Sequence, residues 1–241
     1  QGVNLSNIAT PFTFDGCAFG VEGKIATNPI AISNCTYGGV TSNIRACRGL
    51  NNGASAIVCN VNDSSFLDFT DCQWETFGDA SVTTRNSTDV RSLSLGRVFN
   101  FTITRNTLIS GSIYCAPASF GTITDTVYHD TLVGATTTTS AIDAVRLASG
   151  CDTVTVSGIT GDCNPYGYLV TIGSSCIRCK VRDIGTALAP LDAGTTNICA
   201  GAINHSVASF LEFNRIYLTG ARSNVVLSAN TSTDIVCDNV W

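Results

Sequence analysis

One eight-residue pattern of apolar and polar positions recurs along the chain: apolar, any, apolar, two small or polar residues, an inward residue, any, apolar. Residues 12–19 (FTFDGCAF), 30–37 (IAISNCTY), 67–74 (LDFTDCQW) and 101–108 (FTITRNTL) carry it clearly. Weaker copies occupy 121–128 (GTITDTVY), 154–161 (VTVSGITG), 179–186 (CKVRDIGT) and 211–218 (LEFNRIYL). A truncated copy, IVCDNVW, occupies 235–241, and a poorer candidate begins at Ile44. Apolar residues therefore fall at positions one, three, six and eight, whereas an unbroken strand alternates with period two. The break in parity requires a bend near positions four and five. Such a bend commonly places a residue in the left-handed region, which Gly, Asn and Asp tolerate best.

Position five meets that requirement with Gly16, Asn34, Asp71, Asp125, Gly158, Asp183 and Asn239; only Arg105 and Arg215 depart from it. Position six reads Cys17, Cys35, Cys72, Asn106, Thr126, Ile159, Ile184, Ile216 and Val240. Like residues come in blocks, as expected of an inner stack in which each turn touches only the next. The third positions lie 18 to 37 residues apart, which fits constant strands joined by variable loops. No segment shows a helical period. The expectation is an all-β, single-stranded parallel β-helix, a solenoid occupying residues 1–241 as one domain, with specificity carried on loops 86–98 and 131–146.

Composition narrows the function classes. The 241 residues include 13 basic and 18 acidic side chains, for a net charge of −5, and the only lysines are Lys24 and Lys180. That argues against a nucleic-acid partner, which needs a basic stripe. No apolar run approaches the roughly 18 residues of a membrane span, and no signal peptide is visible. Ser, Thr and Asn number 73, a neutral hydrogen-bonding surface suited to sugars. The chain opens at Gln1, and its last copy stops within a turn at Val240-Trp241. An open solenoid end needs a cap, so the sequence reads as a piece of a longer chain.

The strand–bend–strand unit, the Asn/Gly/Asp bend and the inner stacks resemble right-handed parallel β-helices of the pectin-lyase-like kind. The low charge and the Thr/Ser/Asn content look most like bacteriophage tailspikes and tail fibres. This resemblance implies the right-handed winding and a homotrimer. It also implies a place in the virion, in a tail or surface appendage, folded in the host cytoplasm among other virion proteins.

Twelve cysteines admit two readings. Disulfides would suit an exported protein, whereas Cys17, Cys35 and Cys72 at one inward position, with Cys179 and Cys237 at positions one and three, suit reduced core thiols. Cys176-Ile177-Arg178-Cys179 is a C-x-x-C, with Cys163, Cys199 and His205 as conceivable further ligands. Strand alternation puts Cys176 outward when Cys179 is inward, so no metal and no other cofactor is expected.

The short motifs of pectin hydrolases (Asn-Thr-Asp, Asp-Asp, Gly-His-Gly, Arg-Ile-Lys) do not occur, and His129 and His205 stand without a motif. Asp68 and Glu212 share position two but lie five turns apart, about 24 Å at about 4.8 Å per turn, beyond the roughly 5–9.5 Å of glycosidase carboxyl pairs. The remaining catalytic candidates are Asp71 and Asp125, with Arg105 between them. The competing reading is a charge ladder, repeated by Asp183 and Arg215. Asp125, His129 and Asp130 form a weaker cluster. Sequons at Asn4, Asn34, Asn62, Asn86, Asn100, Asn204 and Asn230 matter only in a eukaryotic or eukaryotic-virus source. The leading expectation is a virion structural and adhesive protein that binds a host-surface glycan or receptor. A polysaccharide depolymerase on the same fold and a secreted extracellular β-helical adhesin are the alternatives.

Overall fold

The computed structural model describes residues 2–20, 28–35, 39–51, 57–76, 90–129, 143–148, 150–162, 169–173 and 176–186. For 202–203, 211–217, 226–227 and 235–240 it describes backbone pairing alone. The described residues are all-β, with 24 strands and no helix. Every strand pairing among them is parallel.

The chain makes successive passes through two sheets. The first sheet joins β1 (Val3–Ser6), β4 (Ile30–Ser33), β7 (Ile57–Asn62), β10 (Arg91–Gly96), β13 (Ser112–Cys115), β16 (Val145–Leu147) and β19 (Val170–Ile172) in that order. One arm of the second sheet joins β2 (Thr13–Asp15), β5 (Ser42–Arg45), β8 (Ser65–Thr70), β11 (Val98–Thr104), β14 (Ala118–Thr124), β17 (Asp152–Ser157) and β20 (Cys179–Thr186), continuing to β22 (Leu211–Tyr217) and β24 (Ile235–Val240). Its other arm joins β3 (Ala18–Phe19), β6 (Arg48–Asn51), β9 (Gln73–Thr76), β12 (Thr107–Ile109), β15 (Val127–His129) and β18 (Thr160–Asp162), and meets the first arm at β20. A separate pair joins β21 (Ala202–Ile203) to β23 (Val226–Leu227).

In the second sheet register holds along the arm that begins at β2, while in the first sheet it shifts by one residue between β10 and β13, at Arg91–Leu93. Position three is one continuous row, Phe14–Ile44–Phe69–Ile103–Ile123–Val156–Val181–Phe213–Cys237. Its members from Ile44 to Val181 are buried, each contributing on the order of 1.5–3 kcal/mol of burial. The bend between the two arms is built by a switch in bonding direction. The position-five N–H donates to the following pass, as from Asp71 to the Thr104 carbonyl and from Arg105 to the Thr124 carbonyl. Two residues later the N–H donates to the preceding pass, as from Thr107 to the Cys72 carbonyl and from Val127 to the Asn106 carbonyl.

Gly16, Asn34, Asp71, Asp125, Gly158 and Asp183 all have φ between 50° and 66°. Arg105 adopts φ 52°, so the residue that departs from the pattern takes the same conformation. For Asn239 and Arg215 only strand pairing is described. Among the inner-stack residues Cys35, Cys72, Asn106, Thr126, Ile159 and Ile184 are buried and Cys17 is half-buried. Ile216 and Val240 continue the row beyond Ile184 by register.

Several sequence expectations need correction. Residues 30–37 do not belong to the column of the other copies: Ile30–Ser33 is a first-sheet strand, and the Cys35 N–H donates to Ser64 Oγ rather than joining Cys17 and Cys72. The pass between Cys17 and Cys72 is supplied by residues 42–49, with Ala46 (φ 50°) at the bend and Cys47 inside. The poorer copy expected from Ile44 lies in this pass but two residues out of register, because the true first and eighth positions are Ser42 and Gly49. Gly49 is required there, since a Cβ would lie 2.7 Å from the Trp74 ring and 2.4 Å from Val58. Segment 86–98 is not a loop throughout: Arg91–Gly96 is a strand with Leu93 and Leu95 buried. Segment 131–146 likewise runs into β16, and its residues before 143 lie outside the described residues.

Candidate functional site

Outward residues form rows as regular as the inward ones. Position two gives Thr13–Asn43–Asp68–Thr102–Thr122–Thr155–Lys180 along the second sheet, and Glu212 follows Lys180 in backbone register. Position four gives Asp15–Arg45–Thr70–Thr104–Thr124–Ser157–Arg182 beside it. Neighbours within a row are about 4.8 Å apart, the parallel strand spacing. Thr104 and Thr124 hydroxyls hydrogen-bond at 3.1 Å, and Thr70 Oγ1 donates to Asp68 Oδ1 at 2.9 Å. β-Branched Thr suits the pleated sheet while offering a hydroxyl that both donates and accepts.

Asp71 and Asp125 lie on either side of Arg105 in the position-five row. Arg105 Nε and Nη2 hold both Asp71 oxygens at 2.7 and 2.8 Å. Those hydrogen bonds, and the charge behind them, keep the Asp71 carboxyl below the usual carboxylate range and push the guanidinium up. Asp125 adds to the field at Arg105 and lies over Gly158, where a Cβ would meet Asp125 Oδ1 at 2.6 Å. A general acid of a glycosidase needs a raised pKa, and Asp71 has the reverse. The device recurs across neighbouring passes: Arg45 with Asp15, Arg97 with Asp63 and Arg178 with Asp152. Arg48 also reaches Glu75, whose side chain is nearly buried, at 2.9 Å. Asp68 and Glu212 share a row five strands apart. His129 is exposed at the end of β15, while Asp130 and His205 lie outside the described residues.

The thiols line the interior. Cys17, Cys35, Cys47, Cys59, Cys72, Cys115, Cys151 and Cys179 are free thiols, Cys176 lies among them, and all but Cys17 are buried. Burial pushes the Cys72 thiol up to about 12 and raises Cys59 and Cys115 further. Cys176 is inside, against the alternation expected from Cys179. Arg178 between them has φ 54°, which resets the parity so that both sulfurs turn inward. Among the described residues no three His, Cys, Asp or Glu side chains converge on a metal-sized site, and no helix is long and apolar enough to cross a membrane. Cys163 and Cys199 lie outside the described residues, as does the side chain of Cys237.

Two exposed residues were not singled out from the sequence: Phe99 and Phe120, 42% and 59% exposed on neighbouring passes. Their apolar character reads as core in a strand-rich sequence. Only the left-handed Asn100 and Phe120 (φ 55° and 53°), which break the alternation, reveal that they face outward. No family model, no curated protein and no solved structure matches the chain.

Proposed function

We propose that the passes wind as a right-handed parallel β-helix and that the chain is a structural and adhesive segment of a phage tail fibre or tailspike. Its outward face binds a host-surface glycan. The observation that carries this reading is the pair of parallel Thr-rich rows, Thr102–Thr122–Thr155 and Thr104–Thr124–Ser157, at one strand spacing per step. Ordered hydroxyls at a regular spacing on a rigid scaffold suit a repetitive, hydroxyl-bearing ligand. Free interior thiols favour folding in a reducing cytosol over export. The bidentate engagement of Asp71 favours binding over cleavage. The active unit is a homotrimer held among other virion proteins.

Two assays test this reading. A glycan array probed with the 241-residue chain should show retention on a subset of bacterial surface polysaccharides. Chromatography of those polysaccharides after incubation should show no shortening. Shortened products that disappear with Asp71→Ala or Asp125→Ala would replace the adhesive reading with a depolymerase. Light scattering should give a trimer, and a concentration-independent monomer would remove the fibre assignment.

A further inference from the structure

Phe120 presents a large ring that the packing of the sheet leaves outside. Its ring is 59% exposed, and its backbone is left-handed at φ 53°, a conformation that bulky side chains avoid. The left-handed backbone belongs to the whole column, with Phe66 at φ 57°, Asn100 at 55°, Thr153 at 55° and Arg178 at 54°, so the scaffold imposes it and the exposed ring is what sets Phe120 apart. Phe99, opposite Ser119 in the register and one residue before Asn100, adds a second exposed ring on the neighbouring pass.

The surroundings are as specific as the rings. On one side Arg97 grips Asp63 in a bidentate pair, its Nη2 2.7 Å from Asp63 Oδ2. On the other, Asp152, which follows Ser119 in the same row, is gripped by Arg178 through both guanidinium arms. Together they make a strip about four strand spacings long, ~19 Å, with apolar rings in the middle and fixed hydrogen-bonding groups at both ends.

We propose that Phe99 and Phe120 form an aromatic platform for a neutral glycan chain, whose hydroxyls reach the Arg97–Asp63 and Arg178–Asp152 pairs. This deepens the glycan reading above and rests on it. A pyranose has an apolar C–H face and a hydroxyl rim, the same two-part character as the strip. One strand spacing is close to the length of one sugar unit in an extended chain. Each guanidinium is already matched by a carboxylate, so the strip offers an anionic chain no net charge, while the unshared lone pairs and N–H groups remain available to hydroxyls.

The test is saturation-transfer NMR on the 241-residue chain with neutral hexasaccharides (cello-, malto-, manno- and chitohexaose), with hyaluronan hexasaccharide as the anionic comparison. The wild-type protein should saturate ring C–H protons of at least one neutral chain. A Phe99→Thr/Phe120→Asn variant, with residues that suit strand and left-handed backbone, should bind at least tenfold more weakly with no loss of thermal stability. Fluorophenylalanine incorporated into the wild-type sequence gives a readout that needs no variant, since two exposed 19F resonances should shift on binding. Equal binding by the variant, or unmoved resonances, would overturn the platform while leaving glycan binding elsewhere on the face. Binding of the anionic chain alone would overturn it as well. No binding of any saccharide would overturn both.

Discussion

Replacing Asn106 by Ile tests whether the inner stack is specified by polar satisfaction or by volume alone. Asn106 is 1% exposed. Its Oδ1 accepts from Trp74 Nε1 at 2.9 Å, and its Nδ2 donates to the Phe69 carbonyl at 2.8 Å and the Thr104 carbonyl at 2.9 Å. Ile occupies the same position in later passes, as Ile159 and Ile184, so the volume is acceptable to the scaffold. What Ile cannot do is accept the indole N–H, and a buried donor left without a partner costs about 1–3 kcal/mol. The Thr104 carbonyl keeps the Asp71 N–H at 3.1 Å and the Phe69 carbonyl stays in the parallel ladder, so the main loss is at Trp74, about 1–3 kcal/mol. Trp74→Phe alone should destabilise too, by orphaning Asn106 Oδ1. The double variant removes donor and acceptor together. Urea denaturation of the four proteins should therefore give a favourable coupling of about 1–3 kcal/mol, the double variant losing less than the sum of the singles. Additive losses, or an Asn106→Ile protein as stable as the parent, would refute the argument that this hydrogen bond specifies the stack.

Other perturbations separate other parts of the account. Gly121→Ala places a Cβ 2.0 Å from the Phe101 ring; calorimetry should show a loss of about 1–3 kcal/mol, largely recovered when Phe101→Leu is added. Phe120→Asn should raise stability by about 1 kcal/mol, because Asn accepts the left-handed backbone that Phe resists. In native protein, alkylation followed by mass spectrometry should label Cys17 first among the nine described thiols, since the other eight are buried; denaturation should expose all nine. The carboxyls of Asp63, Asp71 and Asp152 are lowered by their arginines. Their contribution should be complete above the ordinary carboxylate pKa and lost as pH falls through the lowered values, and Arg105→Gln should return the Asp71 titration, followed by NMR, toward that ordinary value.

Much of the second sheet was legible because one kind of position is chemically constrained. The left-handed bend selects Gly, Asn or Asp, and the same bend breaks the strand period, so pattern and residue type point to one place. Where the constraint is met by other means the sequence goes quiet. Ala46 and Arg105 adopt the left-handed conformation without belonging to the favoured types, and Gly49 vacates an apolar position for the Trp74 ring. The first sheet carries no bend within its strands, so β7, β10 and β13 present only short alternations, and a single matching window, 30–37, was assigned to the wrong column. Cys176 shows the limit of period-two reasoning: one left-handed residue at Arg178 reverses the face of everything before it. For the surface, Asp71 and Arg105 were legible as neighbours from their common position in the pattern. Phe99 and Phe120 were not, because an exposed aromatic and a buried one look alike in sequence.

The passes stack one strand spacing apart, so that outward rows run continuously along one face. Genetically encoded keto side chains at Asn43 and Lys180, coupled to nitroxides, would report it by pulsed electron resonance. The two positions are 137 residues apart in sequence but five steps apart in one row. The account predicts a narrow distribution near 24 Å, five spacings of about 4.8 Å. A distribution centred beyond about 40 Å, or one without a defined maximum, would contradict it.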